Sequence, residues 1–194
     1  MLILDTLNKT TIWGGTRLQK FGSDPLEPHV GSLYTVAGNG ELSCMVLNGE
    51  YIGLTLYDVY RDNRDMFGYD KYEPFPLLIG LVDATADLSI QIHPGDEYAR
   101  AHENAPFGKT ESWLFLEAPV SGSIVNGCKC QSRQELNERV AAGDWDNVID
   151  RLPVQKGEYV FVPTGTLHAL CAGSLVYEIQ QSTDVTYRFY DYDR

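Results

Sequence analysis

At 194 residues with 43% hydrophobic content, the chain is expected to form one domain with a substantial core. Its formal charge of -12 argues against nucleic acid or an anionic membrane as partner, since either would be repelled at long range. Met1-Leu2-Ile3-Leu4 follows no basic stretch and ends at Asp5, so no secretory signal is expected, and no run approaches the ~20 apolar residues of a membrane span.

From Leu7 to Asn48, short apolar runs alternate with Gly, Pro and Asn, the pattern of strands joined by turns. Trp13, ahead of two glycines, can plug a core or stack on a sugar, and composition alone favours the core. Thr55 is placed to cap a short helix carrying Leu56, Val59 and Tyr60, with Gly68 as its stop. Leu77 to Val82 reads as a buried strand. The strand beginning at Leu88 puts Ser89, Gln91 and His93 on one face and Ile90 and Ile92 on the other. After Pro94 and Gly95 a polar excursion, with room for a helical turn, runs to Gly108; its Asp96, Glu97 and Glu103 read as a solvated face. The chain returns as a strand with Glu111, Trp113 and Phe115 on one face.

Ser132 and Glu135 form a capping box for a helix with Leu136 and Val140 as its apolar stripe, ending near Gly143. Trp145, Val148 and Ile149 suggest a second short helix, stopped by Pro153. This pair reads as a helical insertion at about 132–151 that covers an open end of the sheets in a single domain, 1–194. Next, Pro163 and Gly165 follow the strand Tyr159 to Val162 and make a turn that delivers His168, with Thr166, His168 and Leu170 on one face. Val176, Glu178 and Gln180 share a face of the strand after Gly173. Glu178 can pair with Arg188 or carry a proton.

A Gln-x-His pair and a carboxylate on otherwise apolar faces need a reason to be buried, and a metal ion supplies one. Nitrogen from His93 and His168 with oxygen from Glu111 and Gln91 suits zinc and is compatible with manganese, iron or cobalt. His29 and His102 sit in polar or charged surroundings and read as surface. Cys44, Cys128, Cys130 and Cys171 lack the spacing of a zinc knuckle and the density of a disulfide scaffold, which points to a reducing cytoplasm.

The blocks Ile12-Trp13-Gly14-Gly15, Phe75-Pro76-Leu77-Leu78-Ile79, Leu88 to Pro94, Gly108-Lys109-Thr110-Glu111-Ser112-Trp113, Val162 to His168 and Tyr187-Arg188 occur together and in order. In this the chain resembles the type I mannose-6-phosphate isomerases, of the cupin superfamily. The resemblance implies a mainly β, cupin-type jelly-roll barrel with a few short covering helices. It implies Gln91, His93, Glu111 and His168 as metal ligands, the set that the strand faces also reach, and it places Trp13, Glu178 and Arg188 near the substrate. The chain departs from the family pattern at Gly31-Ser32-Leu33-Tyr34, where an acidic residue and a tryptophan are usual; this bears on local packing or pocket shape. It also stops soon after Tyr187-Arg188, where relatives continue into another β-rich portion. The short outline leaves homodimerisation or reduced activity as expectations.

The function implied is a metal-dependent interconversion of mannose 6-phosphate and fructose 6-phosphate, in which a proton moves between C1 and C2. An anionic sugar phosphate needs a local positive site in so acidic a chain, and Lys109 and Arg188 are placed to supply it. The roles expected are Ser89 and Lys109 toward phosphate or sugar oxygens, Arg188 at the reacting oxygens and Glu178 as base. Two other classes remain: a cupin that binds a sugar phosphate without turning it over, and, as two His and a carboxylate allow, an iron oxygenase.

Overall fold

The computed structural model describes residues 1–22, 27–68 and 73–194. Its strands form two antiparallel sheets. One has six strands, in the order β1 (Leu7–Gly15), β2 (Val30–Val36), β3 (Leu77–Asp83), β10 (Leu175–Gln181), β5 (Glu111–Glu117) and β8 (Tyr159–Val162). The other has five: β11 (Tyr187–Tyr190), β4 (Ile90–Ile92), β9 (His168–Ala169), β6 (Ser123–Cys128) and β7 (Ile149–Pro153). The result is mainly β, with four short α-helices among the described residues: α1 (Leu56–Asp62), α2 (Asp96–His102), α3 (Arg133–Ala141) and α4 (Trp145–Val148). Among the described residues no helix is long and apolar enough to cross a membrane.

Strand alternation sorts side chains between layers. On the six-stranded sheet Val82, Trp113, Phe115, Val160, Val162 and Val176 point inward and meet Ile124 of the second sheet in one cluster. Each fully buried side chain of this size contributes about 1.5–3 kcal/mol. Val125, the next residue on β6, points the other way, into a second cluster with Ile90, Val148, Ile149 and Ala169, against which Leu136 and Val140 of α3 pack. Between these layers the sheets remain open at one end, and polar side chains collect there.

The caps behave as their sequences suggest. Thr55 Oγ1 accepts from Asp58 N at 3.1 Å, and Ser132 Oγ accepts from Glu135 N at 3.1 Å. Two boundaries differ from expectation. The helix begun at Thr55 ends at Asp62, and Gly68, at φ 67°, closes a separate 3-10 turn over Arg64–Phe67. The helix begun at Trp145 ends at Val148, because Ile149 pairs with Cys128 and starts β7; Pro153 ends that edge strand instead of the helix.

The end of β1 is fastened by an ion pair between a buried carboxylate and a half-buried guanidinium. Asp83, fully buried, receives Arg17 Nε and Nη2 at 2.8 and 2.6 Å and the Arg17 backbone N–H at 2.8 Å. The same guanidinium donates to the Gly173 and Ser174 carbonyls. This clasp joins β1, β3 and the start of β10, and it holds the Trp13-Gly14-Gly15 corner against the open end of the sheets.

Candidate metal centre and chamber

β4, β5 and β9 bring three ligand groups together. Gln91 of β4 faces His168 of β9 in register, and Glu111 is the first residue of β5. His168 Nε2 lies 3.2 Å from Glu111 Oε1, His93 Nε2 lies 3.5 Å from Glu111 Oε2, and Gln91 Nε2 lies 3.5 Å from His168 Nε2. His93, Glu111 and His168 are all at most 2% exposed.

The imidazoles are oriented from behind. His93 Nδ1 donates to the Val185 carbonyl at 3.1 Å and His168 Nδ1 to the Thr166 carbonyl at 2.8 Å. A carbonyl can only accept, so in each neutral ring the Nε2 lone pair turns toward Glu111. Burial lowers the His93 pKa and so favours the neutral ring. His93 Nε2 and both Glu111 carboxylate oxygens are buried and without hydrogen-bond partners. Three groups of lone-pair acceptors therefore converge, an unfavourable arrangement unless a cation lies among them. One ligand atom from each of the three residues lies within 4.8 Å of the others. The donor set fits a divalent metal.

Glu111 is tuned by its neighbours. Burial alone would raise its pKa, but the Lys109 ammonium outweighs that and holds the carboxyl well below the usual range. Lys109 Nζ sits 3.6 Å from Glu111 Oε2 and is itself nearly out of solvent.

The centre opens into a chamber of about 630 Å³. Trp13, Ser89, Gln91, Lys109, Glu111, Glu178 and Arg188 all line it, so the residues singled out by sequence meet in one place, with His93 and His168 behind its wall. Trp13 also packs on the inner core, the role that composition favours for it, while its ring lines the chamber. Glu178 accepts from Trp113 Nε1 at 2.9 Å, and among the described residues no ion pair joins it to Arg188. Burial, followed by the Glu111 charge, pushes the Glu178 pKa up to about 7. His29 and His102 are exposed. A second concavity of about 540 Å³, lined in part by Asp87, Arg151 and Cys171, contains none of the metal-ligating set.

Several contributors escape a sequence reading. Lys9, Ser32, Tyr34 and Gln180 line the chamber. Ser32 and Tyr34 belong to the segment that departs from the family pattern, and a Cβ on its Gly31 would lie 2.5 Å from the Trp13 ring, so this segment shapes the pocket and seats Trp13. Asp96 and Glu103 are more than a solvated face. Asp96 Oδ1 accepts from Gly108 N at 2.8 Å and Gln181 Nε2 at 3.0 Å, while Gln181 Oε1 accepts from Thr110 N at 2.8 Å. This network fixes the approach to Glu111. Glu103 accepts from the Tyr187 hydroxyl at the start of β11.

Comparison with known proteins gives a consistent picture. The family described as "Phosphomannose isomerase type I, catalytic domain" matches residues 1–111. The chain is 40% identical over 186 residues to mannose-6-phosphate isomerase ManA of Bacillus subtilis, covering 96% of this chain and 59% of that protein. It is also 40% identical over 194 residues to mannose-6-phosphate isomerase of Streptococcus mutans, covering 100% of this chain and 61% of that protein. The crystal structure of mannose 6-phosphate isomerase from Bacillus subtilis superposes with a TM-score of 0.94 at 39% identity, over 100% of this chain and 62% of that one. The chain thus spans about three-fifths of the length of the relatives it matches.

Proposed function

From the premise that this chain belongs to the type I phosphomannose isomerase family, we propose that its chamber interconverts mannose 6-phosphate and fructose 6-phosphate. The observation that carries this reading is the convergence of His93, His168 and Glu111 lone pairs on one point, in a chamber that also holds Lys109, Glu178 and Arg188. On this reading residues 1–194 form one metal-binding unit with a helical insertion at about 132–151.

His93, His168 and Glu111 would hold a divalent ion. Gln91 joins them once its amide is turned to present oxygen, because the two amide orientations are near-isosteric and the observed one aims nitrogen at His168. The nitrogen-rich set is best suited to zinc; manganese, iron and cobalt are alternatives. Such an ion supplies Lewis acidity, which stabilises negative charge on sugar oxygens. Glu178, with a pKa near neutrality, takes the C2 proton of the open-chain aldose as the C1–C2 enediolate forms and returns it to C1, while the O2 proton passes to O1, which gives the ketose. Lys109, fixed beside Glu111, and Arg188 offset the charge that develops on the two oxygens. Ser89 donates to a sugar oxygen, and Trp13 closes one wall of the chamber and excludes water.

For the compartment we propose a reducing cytoplasm, a reading that cysteine usage below the density of a disulfide scaffold supports. For homodimerisation, the outward Tyr159 and Phe161 of edge strand β8 offer a surface, and sedimentation of the purified chain tests it. The deciding experiment is conversion of mannose 6-phosphate to fructose 6-phosphate, before and after chelation and zinc restoration. Activity that is lost and regained supports the isomerase; a folded, metal-loaded chain that binds the sugar phosphate without turnover overturns it in favour of a binding module.

A further inference from the structure

The chamber has two electrostatically different ends. At the inner end Lys109 is held 3.6 Å from Glu111, beside the point where the ligand groups converge. In a hexose 6-phosphate the reacting carbons lie at one end of the carbon chain and the phosphate at the other. A substrate whose C1 and C2 oxygens are beside Glu111 therefore cannot also deliver its phosphate to Lys109. The dianion must meet its cation nearer the mouth.

The mouth lies between edge strands of the two sheets. β1 bounds the six-stranded sheet and β11 the five-stranded one. Lys9 on β1 lines the chamber, as does Asp184 on the connection from β10 to β11. Lys9 Nζ is 3.5 Å from Asp184 Oδ2, so the pair ties one sheet's edge to the other's. Both side chains remain in contact with water, 50% and 86% exposed, and such pairs are worth about 0–1 kcal/mol. A tie this weak yields to a phosphate, which offers two charges and several acceptor oxygens where Asp184 offers one charge. In a chain of net charge -12, the cation has to be local to act.

We propose that Lys9 is the residue that receives the phosphate group of the sugar phosphate, and that Asp184 is the counter-ion it exchanges on binding. The inference rests on the isomerase reading for the orientation of the sugar. It assigns to Lys9 the phosphate contact that the sequence leaves open among Ser89, Lys109 and Arg188, and it makes Asp184 a brake on binding, since its carboxylate both occupies Lys9 and repels the incoming dianion.

The test is calorimetric titration of fructose 6-phosphate, and separately of inorganic phosphate and unphosphorylated fructose, into the metal-loaded full chain. Losing one charge-assisted contact should weaken fructose 6-phosphate binding about tenfold in Lys9→Ala. Lys9→Arg should restore most of it, and Asp184→Asn should tighten it several-fold. Fructose binding should be the same in all variants, and inorganic phosphate should follow the pattern of the ester. Lys9→Ala binding fructose 6-phosphate as tightly as the native chain, or Asp184→Asn binding it more weakly, overturns the assignment. Lys9-dependent binding without isomerisation removes the isomerase reading and leaves the phosphate site standing; turnover with an unchanged KM in Lys9→Ala does the reverse. A native chain that binds no sugar phosphate overturns both.

Discussion

Trp113 and Glu178 face each other directly across the β5–β10 pair, and the indole Nε1 donates to the carboxylate at 2.9 Å. This bond gives Glu178 one fixed oxygen and leaves the other for the chamber, which Arg188 pairing would have consumed. Glu178→Gln keeps a group that can accept from the indole but cannot carry a proton. Turnover should fall by about 10²–10⁴ while bound metal per chain stays unchanged. Unchanged turnover would remove Glu178 from the mechanism.

The same residue predicts a pH dependence. Its folded-state pKa of about 7 lies above the ordinary carboxylate value of 4.5, so between these values the folded chain binds more protons than the unfolded one. Stability from this group is therefore lost as pH rises from about 4.5 to 7. Activity has the opposite sign, since the base must be ionised, and kcat should climb through a midpoint near pH 7 toward a plateau about one pH unit higher. A bound divalent ion favours the carboxylate and should move that limb to lower pH. Rate profiles and urea midpoints across this range, with Glu178→Gln as control, check both signs.

Metal removal should destabilise the chain, because an ion held by His93, His168 and Glu111 binds the folded state alone. At a free metal concentration of 100 times Kd the linkage is about 2.7 kcal/mol, read as a drop in Tm on chelation. His93→Ala should abolish the metal-dependent shift. A His93→Ala chain whose Tm still responds to zinc would show that this cluster is not the site.

Arg17→Ala should cost about 3 kcal/mol in urea denaturation, since it leaves Asp83 as an uncompensated charge with no solvent exposure. Arg17→Met combined with Asp83→Leu should recover much of this loss. Additive losses in the double variant would contradict the clasp.

Gly108→Ala tests a close backbone approach. A Cβ there would stand 2.3 Å from the Pro94 carbonyl oxygen and 2.8 Å from Asp96 N, so the 108–111 approach must move away from the turn after β4. Because that turn follows His93 and the approach ends at Glu111, metal affinity should fall together with stability. Titration with zinc measures the first and thermal unfolding the second.

What was legible in the sequence is what depends on neighbours in the chain. Alternation put Gln91 and His93 on one face, the Pro163-x-Gly165 turn announced His168, and the Thr55 and Ser132 caps each bond within three residues. What was not legible depends on distant partners. Ile149 leaves its helix because β6 recruits it. Asp96 becomes a strut through Gln181, 85 residues away. Lys9 belongs to no motif; its place at the mouth comes from β1 pairing with β2 through irregular register and from the loop carrying Asp184, 175 residues later.

The Val185 carbonyl behind His93 has a bearing on the order of assembly. It comes from the connection to the last strand, 92 residues after the ring it orients. While that connection is undocked, His93 has no fixed tautomer and either nitrogen can face inward. Once His168 has been made, the nascent chain possesses both histidines and the carboxylate and still does not present them as one. Assembly of a pairing pattern this non-local is expected on the millisecond-to-second scale of all-β proteins. The imidazole is thus set for an ion only as the connection after β10 docks on the turn after β4, which makes loading a late event in the folding of these sheets.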